Sequence, residues 1–298
     1  MPATPVVLAV PGHEASVERL CARLAAEPGA ALVRSFPDGE LLVRIDTPVE
    51  GRDVILVGSL DRPADKLLAL LFLAETARDL GAARIGLVAP YLSFMRQDVR
   101  FNAGEGITSR YFGALVSRTV DWLVTVDPHL HRLRSLDAVY RIPTRIARSA
   151  PAIAAWIRDH VERPLLVGPD AESEQWVSAV ADACGAPFQV LEKTRRGDRD
   201  VSVTAPDVRG HEARTPVLID DIISTGRTMI EAVRQLAAAR MAAPLVIGVH
   251  GVFADDALAD LRAAGAAQIV TCNTLIHATN AICVWDAIAA STRGMLAP

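Results

Sequence analysis

Short apolar runs alternate along the chain with longer segments that carry apolar residues on one helical face. Nine runs read as strands: Val6–Val10, Val54–Val57, Ile85–Val88, Trp122–Val126, Leu165–Val167, Phe188–Leu191, Val217–Ile219, Leu245–Val249 and Ile269–Cys272. Most are apolar at consecutive positions, as parallel strands covered on both faces are. Helical patterns lie between them at Glu14–Ala26, Lys66–Leu80, Ser109–Ser117, Ala152–Asp159, Glu174–Ala183, Thr228–Ala239 and Asp256–Ala264. Several stop at a glycine, as in Leu80-Gly81, Cys184-Gly185 and Ala264-Gly265, a common C-terminal stop. The βαβα alternation predicts an α/β fold with mainly parallel sheets.

Length then sets the number of domains. The 298 residues suggest two, at about 150 residues each. A proline after a polar stretch, at Ser149-Ala-Pro151, places the boundary between 1–148 and 149–298. The last residues are candidates to pack back on the first domain. A hydrophobic fraction of 51% with 22% charged residues fits a globular chain rather than a disordered one. The net charge of −4 and the lack of a basic stripe argue against a nucleic-acid partner. No apolar run is long enough for a membrane span. The start, Met1 to Val10, has no basic segment and reads as a first strand rather than a secretion signal. Cys21, Cys184, Cys272 and Cys283 lie far apart and form no CxxC, which points away from disulfides or a cysteine zinc site and toward the cytoplasm.

The strongest chemical signal is Pro-Val217-Leu-Ile-Asp220-Asp221-Ile-Ile-Ser224-Thr225-Gly226-Arg227-Thr228, followed by a helix. An apolar strand ends in two carboxylates, and a Ser/Thr/Gly loop runs into a helix N-terminus. Loop N–H groups, the Thr225 and Thr228 hydroxyls and the positive helix end converge on an anion such as phosphate. Gly226 permits backbone conformations that other residues resist. Carboxylates disfavour a phosphate but accept hydrogen bonds from the vicinal hydroxyls of a sugar. Phosphate at one end and diol at the other describe a ribose phosphate, held at the carboxyl end of a strand.

Five further segments carry candidate chemistry. Phe36-Pro-Asp38-Gly-Glu40 follows a strand-like run and, alone, reads as a turn. Pro90-Tyr-Leu-Ser-Phe-Met-Arg96-Gln97-Asp98 follows the strand Ile85–Val88, and Arg96 has the fork geometry for phosphate oxygens; a solvated loop is the alternative. In Thr125-Val-Asp127-Pro-His129, a carboxylate and an imidazole two apart suit a metal or a polyphosphate. Leu166-Val-Gly-Pro-Asp170 repeats the scheme, with an oxygen ligand for Mg²⁺ at Asp170. The charge run Glu192-Lys193-Thr-Arg195-Arg-Gly-Asp-Arg199 reads as a solvated hairpin, or as mobile cations that close over a polyphosphate.

In this order the six segments resemble the ribose-phosphate pyrophosphokinases, whose pattern is F-x-D-G-E, P-Y-x-x-x-R-Q-D, D-x-H, P-D, K-x-R and D-D-x-x-x-T-x-x-T. The resemblance implies two tandem phosphoribosyltransferase-like domains with the active site between them. It implies transfer of the diphosphoryl group of ATP to the 1-hydroxyl of ribose 5-phosphate. Ser224 to Thr228, with Gly226 and Arg227, would hold the 5-phosphate, and Asp220 and Asp221 the ribose hydroxyls. Arg96, Gln97 and Asp98 would contact ATP, while His129 and Asp170, with Asp127 beside them, would engage Mg²⁺-ATP. Phe36, Asp38 and Glu40 would reach ATP on a neighbouring subunit, which implies a homo-oligomer, a dimer or a multiple of dimers. Lys193 and Arg195 match the family's catalytic pair.

Several positions depart from the common bacterial pattern, among them Gly226-Arg227, where that form has a small residue and a glycine. Val99–Glu105 lacks that form's basic stretch, so weak control by phosphate and ADP is expected. Ser224 replaces an aspartate. Glu172-Ser-Glu174 replaces a glycine pair, and two carboxylates there would repel a phosphate. The competing readings are a phosphoribosyltransferase, for whose chemistry one lobe suffices, and a non-catalytic regulatory homologue, which the Glu172–Glu174 substitution keeps open. His131 has no role assignable from sequence and reads as a satisfied surface histidine.

Overall fold

The computed structural model describes residues 3–191, 193–196, 200–203 and 209–296, the two four-residue segments by backbone alone. The chain divides into two compact units, residues 1–147 with 285–298, and residues 148–284. Each is built on one six-stranded sheet whose neighbours all pair in parallel.

In the first unit the elements run β1 (Val6–Ala9), α1 (Glu14–Cys21), β2 (Glu27–Pro28), β3 (Ala31–Ser35), β4 (Leu41–Ile45), β5 (Asp53–Val57), α2 (Pro63–Asp79), β6 (Arg84–Ala89), α3 (Thr108–Thr119), β7 (Trp122–Val126) and β8 (Thr144–Ala147). The sheet order is β2-β1-β5-β6-β7-β8, while β3 and β4 form a separate antiparallel hairpin. The apolar strand runs are buried throughout β7 and nearly so in β1, β5 and β6, as helix-covered parallel strands require. Helix α2 starts at Pro63, which needs no N–H partner in the first turn, with Asp65 near the positive end and Arg78 near the negative end.

The second unit runs α4 (Ala150–His160), β9 (Pro164–Gly168), α5 (Glu174–Cys184), β10 (Phe188–Val190), β11 (Lys193–Arg196), β12 (Asp200–Val203), β13 (Thr215–Ile223), α6 (Arg227–Ala238), β14 (Leu245–Gly251), α7 (Ala257–Ala263), β15 (Gln268–Cys272) and β16 (Asn280–Ile282). Its sheet order is β10-β9-β13-β14-β15-β16, with β11 and β12 paired antiparallel apart from it. The chain then returns to the first unit as α8 (Trp285–Leu296). Trp285 and Ile288 are buried, Arg23 bonds Asp286 at 2.7 Å, and Arg293 donates to the Arg23 carbonyl at 2.8 Å.

Three readings from sequence need correction. The first helix stops at Cys21 rather than Ala26, because Glu27 must pair with Val6 and the chain has to turn before it. The third apolar run of the second unit does not end at Ile219. Strand β13 continues through both aspartates to Ile223, held by the register Ile222 to His250 and Ile223 to Gly251. The following helix then begins one residue early, at Arg227. Among the described residues no helix is long and apolar enough to cross a membrane, and the four cysteines form no disulfide.

Sheet packing in the first unit rests on a close approach between Gly86 and Trp122, register partners on β6 and β7. A Cβ at Gly86 would stand 2.0 Å from the Trp122 ring, which is itself buried. Overpacking a fixed ring costs about 1–3 kcal/mol or more. Gly86→Ala is therefore expected to lose at least ~2 kcal/mol in urea unfolding of the whole chain. Unchanged stability would contradict this packing.

Candidate active site

The second unit's site starts on β13. Asp221 is buried and Asp220 half-buried, and the Asp220 carboxylate accepts the Asp221 N–H at 3.0 Å. Removal from water pushes the Asp220 carboxyl well above its ordinary value. The neighbouring charges of Asp221 and Asp170 push it the same way. This unit therefore holds a cluster of three acceptors that favours hydroxyl donors or a hard cation, which stabilise the charged form.

Asp170 lies two residues past β9 and caps the short 3₁₀ turn Ala171–Ser173. Its side chain accepts the Glu172 N–H at 3.1 Å, and Ser173 Oγ donates to its carbonyl at 2.5 Å. The residue turned inward is Ser173, fully buried against Gly168, while Glu172 and Glu174 are both exposed. The two glutamates that sequence placed against a phosphate thus face solvent in this unit, and screening weakens exposed charges.

Ser224–Thr228 forms the turn from β13 into α6. Gly226 is the helix N-cap with φ +69°, and no side chain caps the helix. The nearest atom to an added Cβ is 3.4 Å away, so glycine is required for the left-handed backbone rather than for space. An uncapped start leaves the first N–H groups of α6 available to an anion. Thr225 and Arg227 are exposed, and Ser224 and Thr228 half-buried. A second loop braces this turn: the Val252 and Phe253 N–H groups donate to the Ile223 carbonyl at 3.0 Å, and the Ala254 N–H to Ser224 O at 3.1 Å. Phe253 holds φ +43° and packs on the His277 ring at 4.7 Å. Sequence reading missed this brace, because a Val-Phe-Ala stretch after a strand carries no chemical signature.

The first unit brings its candidates to loops after β6 and β7. Arg96 is exposed. Gln97 accepts the Thr108 hydroxyl at 2.9 Å and holds the start of α3. Asp98 is buried; one oxygen accepts Arg132 Nη1 at 3.0 Å, and Oδ2 has no partner. Thr125 Oγ1, two residues before Asp127, is also buried without a partner. Orphaned buried polar atoms mark places where a ligand or ordered water completes the structure. Asp127 is buried with φ +25°, and its N–H donates to Ala147 O at 3.3 Å. His129 meets His131 edge to face, ring centroids 3.8 Å apart. Sequence reading left His131 without a role; the i, i+2 spacing from His129 was the available signal.

Phe36–Glu40 is the β3–β4 hairpin turn. The Phe36 N–H donates to Glu40 O at 2.7 Å, Gly39 takes φ +91°, and the Asp38 carboxylate accepts the Glu40 N–H at 3.2 Å. Phe36 is exposed, with the Arg34 guanidinium 4.7 Å over its ring. Lys193 and Arg195 lie on β11, whose backbone pairs with β12; their side chains lie outside the described residues.

Parallel α/β units with an acidic strand feeding a Ser/Thr/Gly turn define the class of phosphoribosyl transfer proteins. The model of the phosphoribosyl transferase domain matches residues 135–284, and that of the N-terminal domain of ribose phosphate pyrophosphokinase matches residues 6–119. A ribose-phosphate pyrophosphokinase from Sulfolobus acidocaldarius is 35% identical over 84% of this chain and 86% of its own. One from Methanothermobacter thermautotrophicus is 34% identical over 86% and 88%. The crystal structure of phosphoribosylpyrophosphate synthetase from Mycobacterium smegmatis shares the fold, with a TM-score of 0.86, 24% identity and 99% of each chain covered. The chain belongs to the ribose-phosphate pyrophosphokinase family.

The charge balance at Asp220 is testable by pH. Its folded pKa lies above its unfolded value. Its contribution to stability is therefore fully present below the unfolded value and is lost as pH rises through the folded one. Without ligand, the thermal midpoint of the wild type should fall relative to Asp220→Asn as pH rises from the ordinary carboxylate range toward neutrality. Parallel pH profiles would contradict an Asp220 carboxyl held above its ordinary value by burial and the neighbouring carboxylates.

Proposed function

We propose that the chain is an active ribose-phosphate pyrophosphokinase, moving the β,γ-diphosphoryl group of ATP onto the 1-hydroxyl of ribose 5-phosphate. The products are phosphoribosyl pyrophosphate and AMP. The observation that carries this reading is the β13–α6 join, where carboxylate acceptors stand a few residues from an uncapped, glycine-opened helix start. Asp220 and Asp221 take the ribose hydroxyls. Ser224, Thr225, Gly226, Arg227 and Thr228 take the 5-phosphate.

Arg96 supplies an exposed guanidinium for ATP phosphate oxygens, with Gln97 and Asp98 setting its loop through Thr108 and Arg132. Phe36, Asp38 and Glu40 meet the adenine of a neighbouring subunit's ATP, so the working form is a homo-oligomer. The exposed Phe36 and Leu32 on the β3–β4 hairpin support a face of that kind. Mg²⁺ fits the oxygen donors of each unit taken by itself: Asp170 in the second, where the carboxylates around Asp220 call for added positive charge, and Asp127 in the first, with the His129 imidazole two residues on. Bound there, it would offset polyphosphate charge. The cytoplasm, with its reduced thiols and its nucleotide pool, is the compartment.

In the reaction the 1-hydroxyl oxygen bonds to the β-phosphorus as its proton passes to solvent, and the bond from that phosphorus to the AMP oxygen breaks with its electron pair kept by AMP. Such transfers ask mainly for alignment and charge stabilisation. Lys193 and Arg195 supply cations to the oxygens that gain charge. A contact made mainly in the transition state raises rate rather than binding.

The test is conversion of ATP and ribose 5-phosphate with Mg²⁺, following AMP and phosphoribosyl pyrophosphate together. Equal amounts of both are expected, with kcat lowered about a hundredfold in Lys193→Ala, by analogy with the loss of one oxyanion donor. Binding of ribose 5-phosphate without either product would favour the regulatory homologue. Product formation only from a base and phosphoribosyl pyrophosphate would favour a transferase.

A further inference from the structure

We infer that His131 joins His129 as a second imidazole ligand at the nucleotide-side metal position, giving that position a preference for borderline divalent cations of the Co²⁺, Ni²⁺ and Zn²⁺ class. The inference rests on the reading of His129 as a metal ligand and adds a residue and a selectivity to it. The two rings stand edge to face at 78°, and their ligand nitrogens lie within 4.8 Å of each other. Two imidazole nitrogens on one tetrahedral ion stand roughly 3.4 Å apart, from metal–nitrogen bonds of about 2.0–2.1 Å. A small rotation of the rings covers the difference.

The backbone around the pair is held on several sides. Leu130, between the two histidines, packs against the first unit's core, as does Leu133. Arg132 is tied to the buried Asp98 at 3.0 Å and lies 5.4 Å over the Phe101 ring. On the N-terminal side, Asp127 is buried and bonded through its N–H to Ala147 O. With Leu130 turned to the core and Arg132 engaged by Asp98, the two half-buried histidines are left as neighbours on a fixed loop. A site built this way loses little freedom on binding a cation. The Arg132 charge is offset by Asp98, which lowers its repulsion of an incoming ion.

Ligand chemistry sets the selectivity. Mg²⁺ takes oxygen ligands and keeps its waters. Imidazole suits Zn²⁺, Cu²⁺, Ni²⁺ and their neighbours, whose affinities rise along the first transition row to Cu²⁺. One imidazole among oxygens is tolerable to Mg²⁺, whereas two tilt the position toward the borderline ions.

The experiment uses the full-length protein stripped of metal and without nucleotide. Co²⁺ is titrated while visible absorption is followed, and Mg²⁺ is then added as competitor. His131→Phe keeps an aromatic ring for the packing against His129 but removes the nitrogens; His131→Asn is the second variant should the first lose its thermal midpoint. The wild type is expected to bind Co²⁺ at least about tenfold more tightly than either folded variant and to resist Mg²⁺ competition. Equal Co²⁺ affinity in wild type and variant, or no Co²⁺ spectrum in the wild type, would overturn the inference. Synthesis of phosphoribosyl pyrophosphate with Mg²⁺ is scored separately. Product with no His131 effect on Co²⁺ removes this inference alone. A His131 effect on Co²⁺ without product removes the enzymatic reading alone.

Discussion

A carboxylate pair inside a parallel strand, with a third carboxylate beside it, is the constraint around which the second unit is arranged. Most strand positions in that sheet are apolar and covered, yet Asp220 and Asp221 sit within the pairing of β13 to β14. Burial and mutual repulsion raise the cost of charging Asp220. The turn that follows has the opposite polarity. Gly226 opens α6 without a side-chain cap, so unpaired N–H groups and the positive helix end stand next to the acidic strand. A ligand with a diol and a phosphate answers both demands at once, whereas a simple anion or a simple cation answers one.

The surrounding structure keeps this join in place. Loop residues Val252 to Ala254 bond back to Ile223 and Ser224, and the left-handed Phe253 rests on His277. Ser173 plugs the space over Gly168 and turns Glu172 and Glu174 outward. The first unit works differently. Its polar groups project from loops after β6 and β7, pinned by Gln97 to Thr108, Asp98 to Arg132 and Asp127 to Ala147. Preorganised loops of that kind suit a reaction in which alignment supplies most of the rate.

Much of the frame was legible in the chain because consecutive apolar positions and glycine stops report covered parallel strands and helix ends directly. Strand β13 was harder: carboxylates read as a strand's end, and only pairing with the fully buried β14 carries it to Ile223. Short edge strands such as β2, β8 and β16 carry too few residues for a period to show. The candidate site followed the same division. The acidic strand end and the Ser224–Thr228 turn are contiguous and could be found by spacing. The Asp98–Arg132 and Phe253–His277 contacts join residues whose proximity arises only from the fold.

The most direct test of the central claim is calorimetry of ribose 5-phosphate and Mg²⁺ binding in buffers of differing ionisation heat, at mildly acidic pH. Hydroxyl donors and a cation favour the charged carboxylate, so binding at Asp220 must lower its raised pKa. The account predicts net proton release in the wild type and its loss in Asp220→Asn. Tight binding with no proton release, or with the same release in both proteins, would contradict a ribose phosphate seated between the β13 carboxylates and the start of α6.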